Sequence, residues 1–204
     1  MERLMIRYLL LSSALLSITA CSTGKGGVTV NDEIYFTMDP IIRTATYNTQ
    51  IDFWGKHLSG LMIFKATSDT SERTIFITET GFKIFDFEFT PHNFSVIYCF
   101  SALNKKFIIK TLKRDLGYLS DFHYAAVKSE FRTDSSLTYK FKRGKKFDFY
   151  TENRDCRLKR IAHGNDLNSN LVIDFNGMRN ANFDTIRIDD HAAHLKINMK
   201  QIDK

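Results

Sequence analysis

The sequence predicts a mainly β protein of the α+β class, with one large curved antiparallel sheet and one or a few helices, one of which covers the concave side. Many short runs alternate apolar and polar side chains, which is the pattern of a strand with one buried face. Phenylalanine accounts for 18 of the 204 residues and proline for only 2. That composition favours aromatic-rich strands over helices or disorder. Only residues 102–119 repeat apolar side chains at helical spacing.

The first 20 residues are organised like an export signal. Glu2, Arg3 and Arg7 make a charged start with a positive balance, and residues 8–18 are almost all apolar. Such a run is shorter than the roughly 20 apolar residues that span a bilayer. Small residues then precede Cys21, an order that is typical of a secretory signal peptide. Residues 18–21, Ile-Thr-Ala-Cys, resemble the bacterial lipobox, in which this cysteine carries a diacyl or triacyl anchor.

These features predict three parts of the chain: a signal peptide over residues 1–20, a lipidated Cys21 with a flexible tether over residues 21–32, and a single β-rich domain over residues 33–204. The run Ser-Thr-Gly-Lys-Gly-Gly after Cys21 has the composition of such a tether. The rest of the chain is long enough for one sizeable core and hardly for two.

Charge and cysteine content restrict the partners and the chemistry. The formal net charge of +6 is a mild excess without the dense basic clustering of nucleic-acid-binding proteins, so no nucleic-acid partner is expected. With Cys21 lipidated, Cys99 and Cys156 either pair in an oxidising compartment or remain two buried thiols, and the sequence leaves both outcomes open.

The first half of the domain reads as a series of strands separated by turns. The predicted strands cover residues 33–38, 47–53, 61–65, 75–78, 82–89 and 94–100. Pro40 ends the first of them, because proline lacks the N–H that a sheet requires. Gly55 and Gly60 are predicted to bracket the turn before the third strand.

The clearest predicted strand covers residues 82–89. Phe85, Phe87 and Phe89 share one face, which is expected to be buried, while Asp86 and Glu88 share the face expected to be in solvent. A slip of one residue would bury both carboxylates, so the pattern fixes which face is inside.

One amphipathic helix is predicted over residues 102–119. Its apolar side consists of Ile108, Ile109, Leu112, Leu116 and Leu119. Its basic face consists of Lys105, Lys106, Lys110, Lys113 and Arg114. Because lysines oppose the positive N-terminal end of a helix dipole, the first residue of the helix is left open.

The second half returns to strand periodicity. Predicted strands cover residues 139–142, 147–150, 158–163, 171–175, 186–189 and 195–200, the first two forming a hairpin around Gly144. The residues Asp-Asp-His-Ala-Ala-His at 189–194 are predicted to be a polar turn rather than a metal site. His163 is expected at the surface. About ten strands with one polar face each fit a single antiparallel sheet that curls.

The lipobox, residues 79–88 (Glu-Thr-Gly-Phe-Lys-Ile-Phe-Asp-Phe-Glu) and residues 103–106 (Leu-Asn-Lys-Lys) resemble a group of Bacteroidetes lipoproteins. These look like relatives of the LolA and LolB carriers of outer-membrane lipoproteins. The resemblance implies an incomplete antiparallel barrel in which helices form a lid over an apolar cavity for acyl chains. The residues after Cys21 lack the acidic pair that resembles a surface-export signal in such lipoproteins. A periplasm-facing domain on the outer membrane is therefore expected.

Two functions remain open at this point. The first is a non-enzymatic carrier or sensor that binds an acyl chain or lipoprotein lipid in an apolar cavity. The candidate lining of that cavity is the aromatic set Phe85, Phe87, Phe89, Phe147 and Phe149. The same rings would equally fill an ordinary core. The alternative is an envelope protein-interaction module with a filled core, which acts through the basic face of the helix or through loops. A solvated helix face explains those charges as well. No nucleophile motif, metal site or cofactor site is recognised, so a protein without enzymatic activity is expected. The protein is also expected to be a monomer.

Overall fold

A computed structural model describes residues 27–28, 35–38, 41–42, 44–120, 123–132, 135–165 and 168–202. The predicted signal peptide, Cys21 and most of the predicted tether lie outside the described residues.

The described elements are 14 strands and one helix. The strands before the helix are β1 (Gly27–Val28), β2 (Tyr35–Met38), β3 (Thr44–Phe53), β4 (Lys56–Ser68), β5 (Ser71–Thr78), β6 (Lys83–Phe89) and β7 (Phe94–Cys99). The helix α1 covers Lys106–Ser120. The strands after it are β8 (His123–Arg132), β9 (Ser136–Arg143), β10 (Lys146–Asn153), β11 (Leu158–Gly164), β12 (Ser169–Asn176), β13 (Thr185–Asp190) and β14 (Leu195–Gln201).

The described strands form one antiparallel sheet. Its order is β1-β8-β9-β10-β11-β12-β13-β14-β3-β4-β5-β6-β7, and β2 pairs with another part of β8. The first and last parts of the domain meet in the middle of the sheet, where Ile197 of β14 lies opposite Ile51 of β3. The sheet is not closed, because β7 is its last strand and has no second neighbour among the described strands. The predicted fold class, a large open antiparallel sheet with a helix, is confirmed.

One hydrophobic core joins both halves of the sheet to α1. Alternate side chains of β3, β12 and β14 are buried, as the period-two pattern predicts. Phe87 of β6 and Ile173 of β12 lie in the same cluster as Leu112 and Leu116 of α1. Strands from both sides of the sheet therefore surround the helix on its concave side.

The turn between β3 and β4 is tighter than predicted. It consists of Trp54 and Gly55, whose φ angles are +46° and +74°, and β4 begins at Lys56. The expectation that Gly60 bounds this turn is wrong. A Cβ on Gly60 would lie 2.0 Å from the carbonyl oxygen of Ile77, so this glycine permits β5 to approach β4 closely.

The helix begins four residues later than predicted and penetrates the core. Residues 101–103 form a turn, and the carbonyl oxygen of Lys105 accepts the hydrogen bond of the Ile109 amide at 3.0 Å. Asp115, Gly117 and Ser120 are buried together with the predicted apolar side. A basic face opposite an apolar one is therefore present only in the first half of α1. The structure describes no helix long and apolar enough to cross a membrane.

Both remaining cysteines are free thiols. Cys99 is half-buried at the end of β7, whereas Cys156 is exposed in the turn between β10 and β11. Of the two outcomes that the sequence left open, the unpaired one is therefore present, although Cys156 is not buried.

Candidate functional site

The space between α1 and β6 is filled by aromatic side chains. Phe85, Phe87 and Phe89 are all buried. The rings of Phe85 and Phe87 stack at 4.6 Å between centroids, and Phe94 packs against Phe87 at 5.3 Å. These rings contact one another and the helix.

The structure does not bring Phe147 and Phe149 to this core. They are half-buried on the opposite face of the sheet, where the Lys140 ammonium lies 4.0 Å from the centroid of Phe147. The inward positions of β10 belong to Asp148 and Tyr150. Tyr150 packs edge-on against Phe141, and Asp148 finds buried hydrogen-bond partners there. The Asp148 carboxylate has its hydrogen-bond partners on the concave side of the sheet, and these bonds determine which face of β10 is buried.

A small, partly open apolar void lies under the first half of α1. Its volume is about 30 Å³. Its lining residues are Ile51, Phe53, Leu58, Ile84, Phe85, Leu103, Ile108, Thr111, Leu112 and Leu195. A void of this size has room for about one water molecule, whereas ligand pockets typically measure roughly 300–1,000 Å³. An acyl chain can therefore enter only if this part of α1 moves outward.

An aromatic stack begins at Phe53, one of the residues that line the void. Trp54, at the tip of the β3–β4 hairpin, stacks between Phe53 and Phe107, with centroid distances of 5.1 and 5.4 Å. Trp54 and Phe107 are both exposed, and Trp54 has a positive φ, which is uncommon for an aromatic residue. The stack joins the hairpin to the first turn of the helix.

The second half of α1 is bonded to the sheet through buried polar groups, the first of which is Asp148. The Tyr118 hydroxyl donates to its Oδ1 at 2.7 Å, and His163 Nδ1 lies 2.6 Å from the same oxygen. Arg143 pairs with Oδ2. Burial alone would raise the pKa of Asp148, but the hydrogen bond from His163 and the Arg143 charge hold it below its usual value. The expectation that His163 lies at the surface is wrong, because its ring is buried against Asp148.

A second contact involves Arg114, which the sequence placed in the basic face. Its Nε donates to Asp115 Oδ1 at 2.7 Å, and its guanidinium pairs with buried Asp190 on β13. Burial, together with the nearby charge of Asp190, raises the pKa of Asp115 to about 7, although Arg114 opposes this shift. The Arg114 charge is therefore largely compensated inside the fold.

The third contact lies at the last residue of α1. The Ser120 hydroxyl donates to Glu72 Oε1 at 3.1 Å, and Thr74 Oγ1 lies 3.4 Å from Ser120 Oγ. Glu72 is buried on β5, and this burial raises its pKa to about 8. Its carboxyl group is consequently mostly protonated at pH 7.

Replacing Glu72 with glutamine should flatten the pH dependence of stability between about pH 4.5 and pH 8. Below that window both folded and unfolded chains hold the proton. Within it only the folded chain does, so stability falls as pH rises, by roughly 1.4 kcal/mol per pH unit for this group. Urea unfolding at several pH values measures the slope. Glu79→Gln, at an exposed carboxylate, should keep the wild-type slope; an identical slope in Glu72→Gln would contradict the assignment.

Asp86 does not face solvent as predicted. Its side chain is fully buried and pairs with Arg73 and, at 3.2 Å, with Lys83. Long basic side chains from β5 and β6 cover this part of the outer face and exclude water from the carboxylate. Glu88 is half-buried and accepts a hydrogen bond from Ser71 at 2.9 Å.

The lysines of the predicted basic face, Lys105, Lys106, Lys110 and Lys113, are exposed. An open groove of about 560 Å³ runs along this side of α1. It is lined by Phe107, Lys110, Thr111, Lys113, Arg114, Gly117, Tyr118 and Arg143. The groove is positively charged, but both of its arginines already pair with buried carboxylates.

The polar turn predicted over residues 189–194 is shorter than expected, because Asp189 and Asp190 belong to β13 and only residues 191–194 form the turn. Asp190 Oδ1 accepts hydrogen bonds from the amides of Ala192 and Ala193 at 3.0 and 3.2 Å, which stabilises the turn. Among the described residues, no group of three or more His, Cys, Asp and Glu side chains is placed to hold a metal ion.

No protein-family model matches the sequence, and no curated protein is similar to it. Among solved structures, a LolA superfamily protein from Nitrosomonas europaea is similar with a TM-score of 0.49 and 6% identity, covering 79% of this chain and 84% of that one. A DUF1329 family protein from Desulfovibrio piger is similar with a TM-score of 0.46 and 10% identity over the same shares. Membership of a Bacteroidetes lipoprotein family stays a prediction.

Proposed function

We propose that the chain is a non-enzymatic envelope protein that binds an acyl chain between the first half of α1 and the concave face of the sheet. The observation that carries this proposal is the uneven attachment of the helix. In the described structure, side-chain hydrogen bonds and ion pairs from α1 to the sheet come from Arg114, Tyr118 and Ser120. Residues 106–112 rest on apolar contacts over an apolar void.

This asymmetry lets one end of the helix move while the other stays in place. Ile108 and Leu112 contribute buried apolar surface that an acyl chain can replace with its own. Burial of each acyl methylene contributes roughly 0.8 kcal/mol. This gain offsets the apolar contacts that Ile108 and Leu112 lose when the helix moves, so the exchange has a small net cost. The three polar contacts of residues 114–120 then act as the fixed end, and a partner with a better apolar site reverses the exchange.

The proposed location follows from the first 21 residues. A lipid anchor at Cys21 would attach the domain to the outer membrane, and the tether composition is compatible with a domain that faces the periplasm. The cargo in this proposal is an acyl chain of a phospholipid or of a lipoprotein.

A second candidate is the envelope protein-interaction module. The small volume of the void favours it, and so does the free edge of the sheet. Val96, Ile97 and Tyr98 of β7 are exposed, and one backbone edge of this strand pairs with no strand in the described part of the chain. Such an edge can accept a strand from another protein. This candidate requires no movement of α1.

Filling the void distinguishes the two candidates. Thr111 lines the void, and isoleucine at this position adds one methylene relative to valine. Thr111→Ile is expected to be more stable than Thr111→Val by up to about 0.8 kcal/mol and to bind a fluorescent 16-carbon fatty acid more weakly. Chemical unfolding and a fluorescence titration of both variants give these values. Equal fatty-acid binding by the two variants would argue against an acyl site under α1.

A further inference from the structure

Exposed aromatic rings gather at one end of the sheet. The pairing of Phe53 with Lys56 and with Leu195 places the β3–β4 and β13–β14 turns at this end. The β5–β6 turn, the end of β7 and the beginning of α1 lie there as well, because neighbouring strands are antiparallel. We call four residues from these segments the aromatic rim. They are Trp54, Phe82, Phe100 and Phe107, which are 59, 48, 36 and 46% exposed.

The rim residues form two pairs. Trp54 stacks on Phe107, and Phe82 contacts Phe100 edge-on at 5.3 Å. Each pair joins separate segments of the chain, so the exposure is a property of the folded end and not of one loop. Large exposed apolar groups gathered in this way are typical of an interaction surface.

Four lysines lie within two residues of a rim residue in the sequence. Lys56, Lys105 and Lys106 are exposed and form no ion pair with any residue that the structure describes. Lys83 lies next to Phe82, with its ammonium 5.9 Å from the ring centroid of Tyr98. Two acids of this end pair with cations, Asp190 with Arg114 and Asp189 with Lys196 at 3.7 Å. Exposed Asp52, which bonds to His57, and exposed Glu79 carry the remaining negative charge. Lys56, Lys105 and Lys106 therefore leave a small positive excess at this end.

Two of these lysines are placed at a cost to the fold. Lys105 and Lys106 lie at the N-terminus of α1, whose first turn contains no acidic residue. The helix dipole disfavours cations at this position. Residues that break such a local rule are commonly functional. Their position beside Phe107 combines positive charge with an exposed ring.

We propose that the aromatic rim and the lysines beside it dock this end of the domain onto the surface of an anionic lipid bilayer. Aromatic rings are favoured at the level of the lipid head groups, and lysine stems bury their methylenes while the ammonium groups reach the phosphates. In this orientation the gap under the first half of α1 faces the membrane. The inference goes beyond the proposed function, because docking requires no lipid inside the core.

Trp54 is the only tryptophan of the chain, so its fluorescence reports directly on the rim. The full chain is incorporated into vesicles of equal parts phosphatidylglycerol and phosphatidylcholine, or of phosphatidylcholine alone. With anionic vesicles, Trp54 emission should shift to shorter wavelength and be quenched by brominated acyl chains. The quenching should decrease as salt increases. Because any anchor at Cys21 attaches the chain to both vesicles, the readout is the position of Trp54 and not binding as such.

The variant Lys105→Glu with Lys106→Glu tests the charges. The ratio of docked to undocked Trp54 should fall by about 25-fold or more, since each basic residue near an anionic surface contributes roughly fivefold. The matched control reverses Lys65 and Lys159, which are exposed at the opposite end of the sheet. This control changes the net charge equally and should leave the ratio unchanged. The unfolding midpoint of the rim variant should stay the same or rise, because acids suit a helix N-terminus.

Three results would overturn the proposal. One is Trp54 emission that is the same in anionic vesicles, neutral vesicles and detergent. Another is an equal loss of quenching in the rim variant and in the control. The last is a concentration-dependent shift of Trp54 emission without vesicles, which would show that a second copy of the chain covers the rim.

Discussion

Replacing Asp148 with alanine should lower the free energy of unfolding by about 3–5 kcal/mol, the range expected when a buried ion pair loses one partner. Asp148 is almost fully buried and accepts from Tyr118, His163 and Arg143. Its removal takes a charged acceptor away from the buried Tyr118 hydroxyl and the buried His163 ring and removes the carboxylate that pairs with Arg143. Urea unfolding followed by circular dichroism measures the loss.

Asp174→Ala is the matched control for this experiment. Asp174 also pairs with an arginine on a neighbouring strand, Arg160 at 2.6 Å, but this pair is exposed to solvent. Exposed pairs contribute about 0–1 kcal/mol, so the control should be nearly as stable as the wild type. Equal losses in both variants would show that the Asp148 contacts contribute no more than a surface ion pair.

Replacing Phe87 with alanine should lower the free energy of unfolding by about 3–5 kcal/mol, because a buried ring is removed from a filled core. Phe149→Ala should cost less than about 1 kcal/mol, since Phe149 is half-buried on the outer face of β10. Both variants delete the same side chain from a strand, so their difference measures burial directly. Chemical unfolding of the two proteins gives this difference.

Similar losses in Phe87→Ala and Phe149→Ala would place both rings in one core. That result would support the inward orientation of Phe149 that the sequence predicts, and it would contradict the position of this ring on the outer face of β10. A loss for Phe149 that exceeds the loss for Phe87 would contradict it more strongly.

The sequence predicts strand faces well where apolarity differs clearly between them. In β3 and β14 apolar and polar residues alternate, and the apolar side chains, such as Tyr47 and Ile51 of β3 and Ile197 of β14, are the buried ones. In β10 both faces carry aromatic residues. A local pattern then favours Phe147 and Phe149 as inward, because phenylalanine is more apolar than aspartate. The choice depends instead on Tyr118, His163 and Arg143, which come from other elements and reach Asp148 only in the fold.

Other differences between the predicted and the observed structure also arise from contacts with other elements of the fold. The burial of Asp86 depends on Arg73, which lies on the neighbouring strand and is distant in sequence. Gly60 indicates a turn by itself, yet its place inside β4 follows from the close approach of β5. Lys83, three residues from Asp86, also pairs with this carboxylate, but the position of Arg73 and the approach of β5 to Gly60 depend on strand pairing that the local sequence does not contain. The lysines at the start of α1 are a contrasting case, because their conflict with the helix dipole is visible in the sequence alone.

The two membrane-related inferences are compatible but separate. Docking by the aromatic rim would bring the movable half of α1 next to lipid, which would shorten the path of an acyl chain into the core. The exposed β7 edge lies on the same side of the sheet as Phe82 and Phe100. A partner strand at β7 would therefore lie close to the docked end.

The central claim is that an acyl chain occupies the space under the first half of α1. Native mass spectrometry of the protein purified from a bacterial envelope, with lipid analysis of what co-purifies, tests it most directly. The account predicts about one acyl-bearing lipid per chain, and less of it in Thr111→Ile than in Thr111→Val. A mass without bound lipid that stays unchanged after addition of fatty acid and phospholipid would contradict the claim and favour the protein-interaction module.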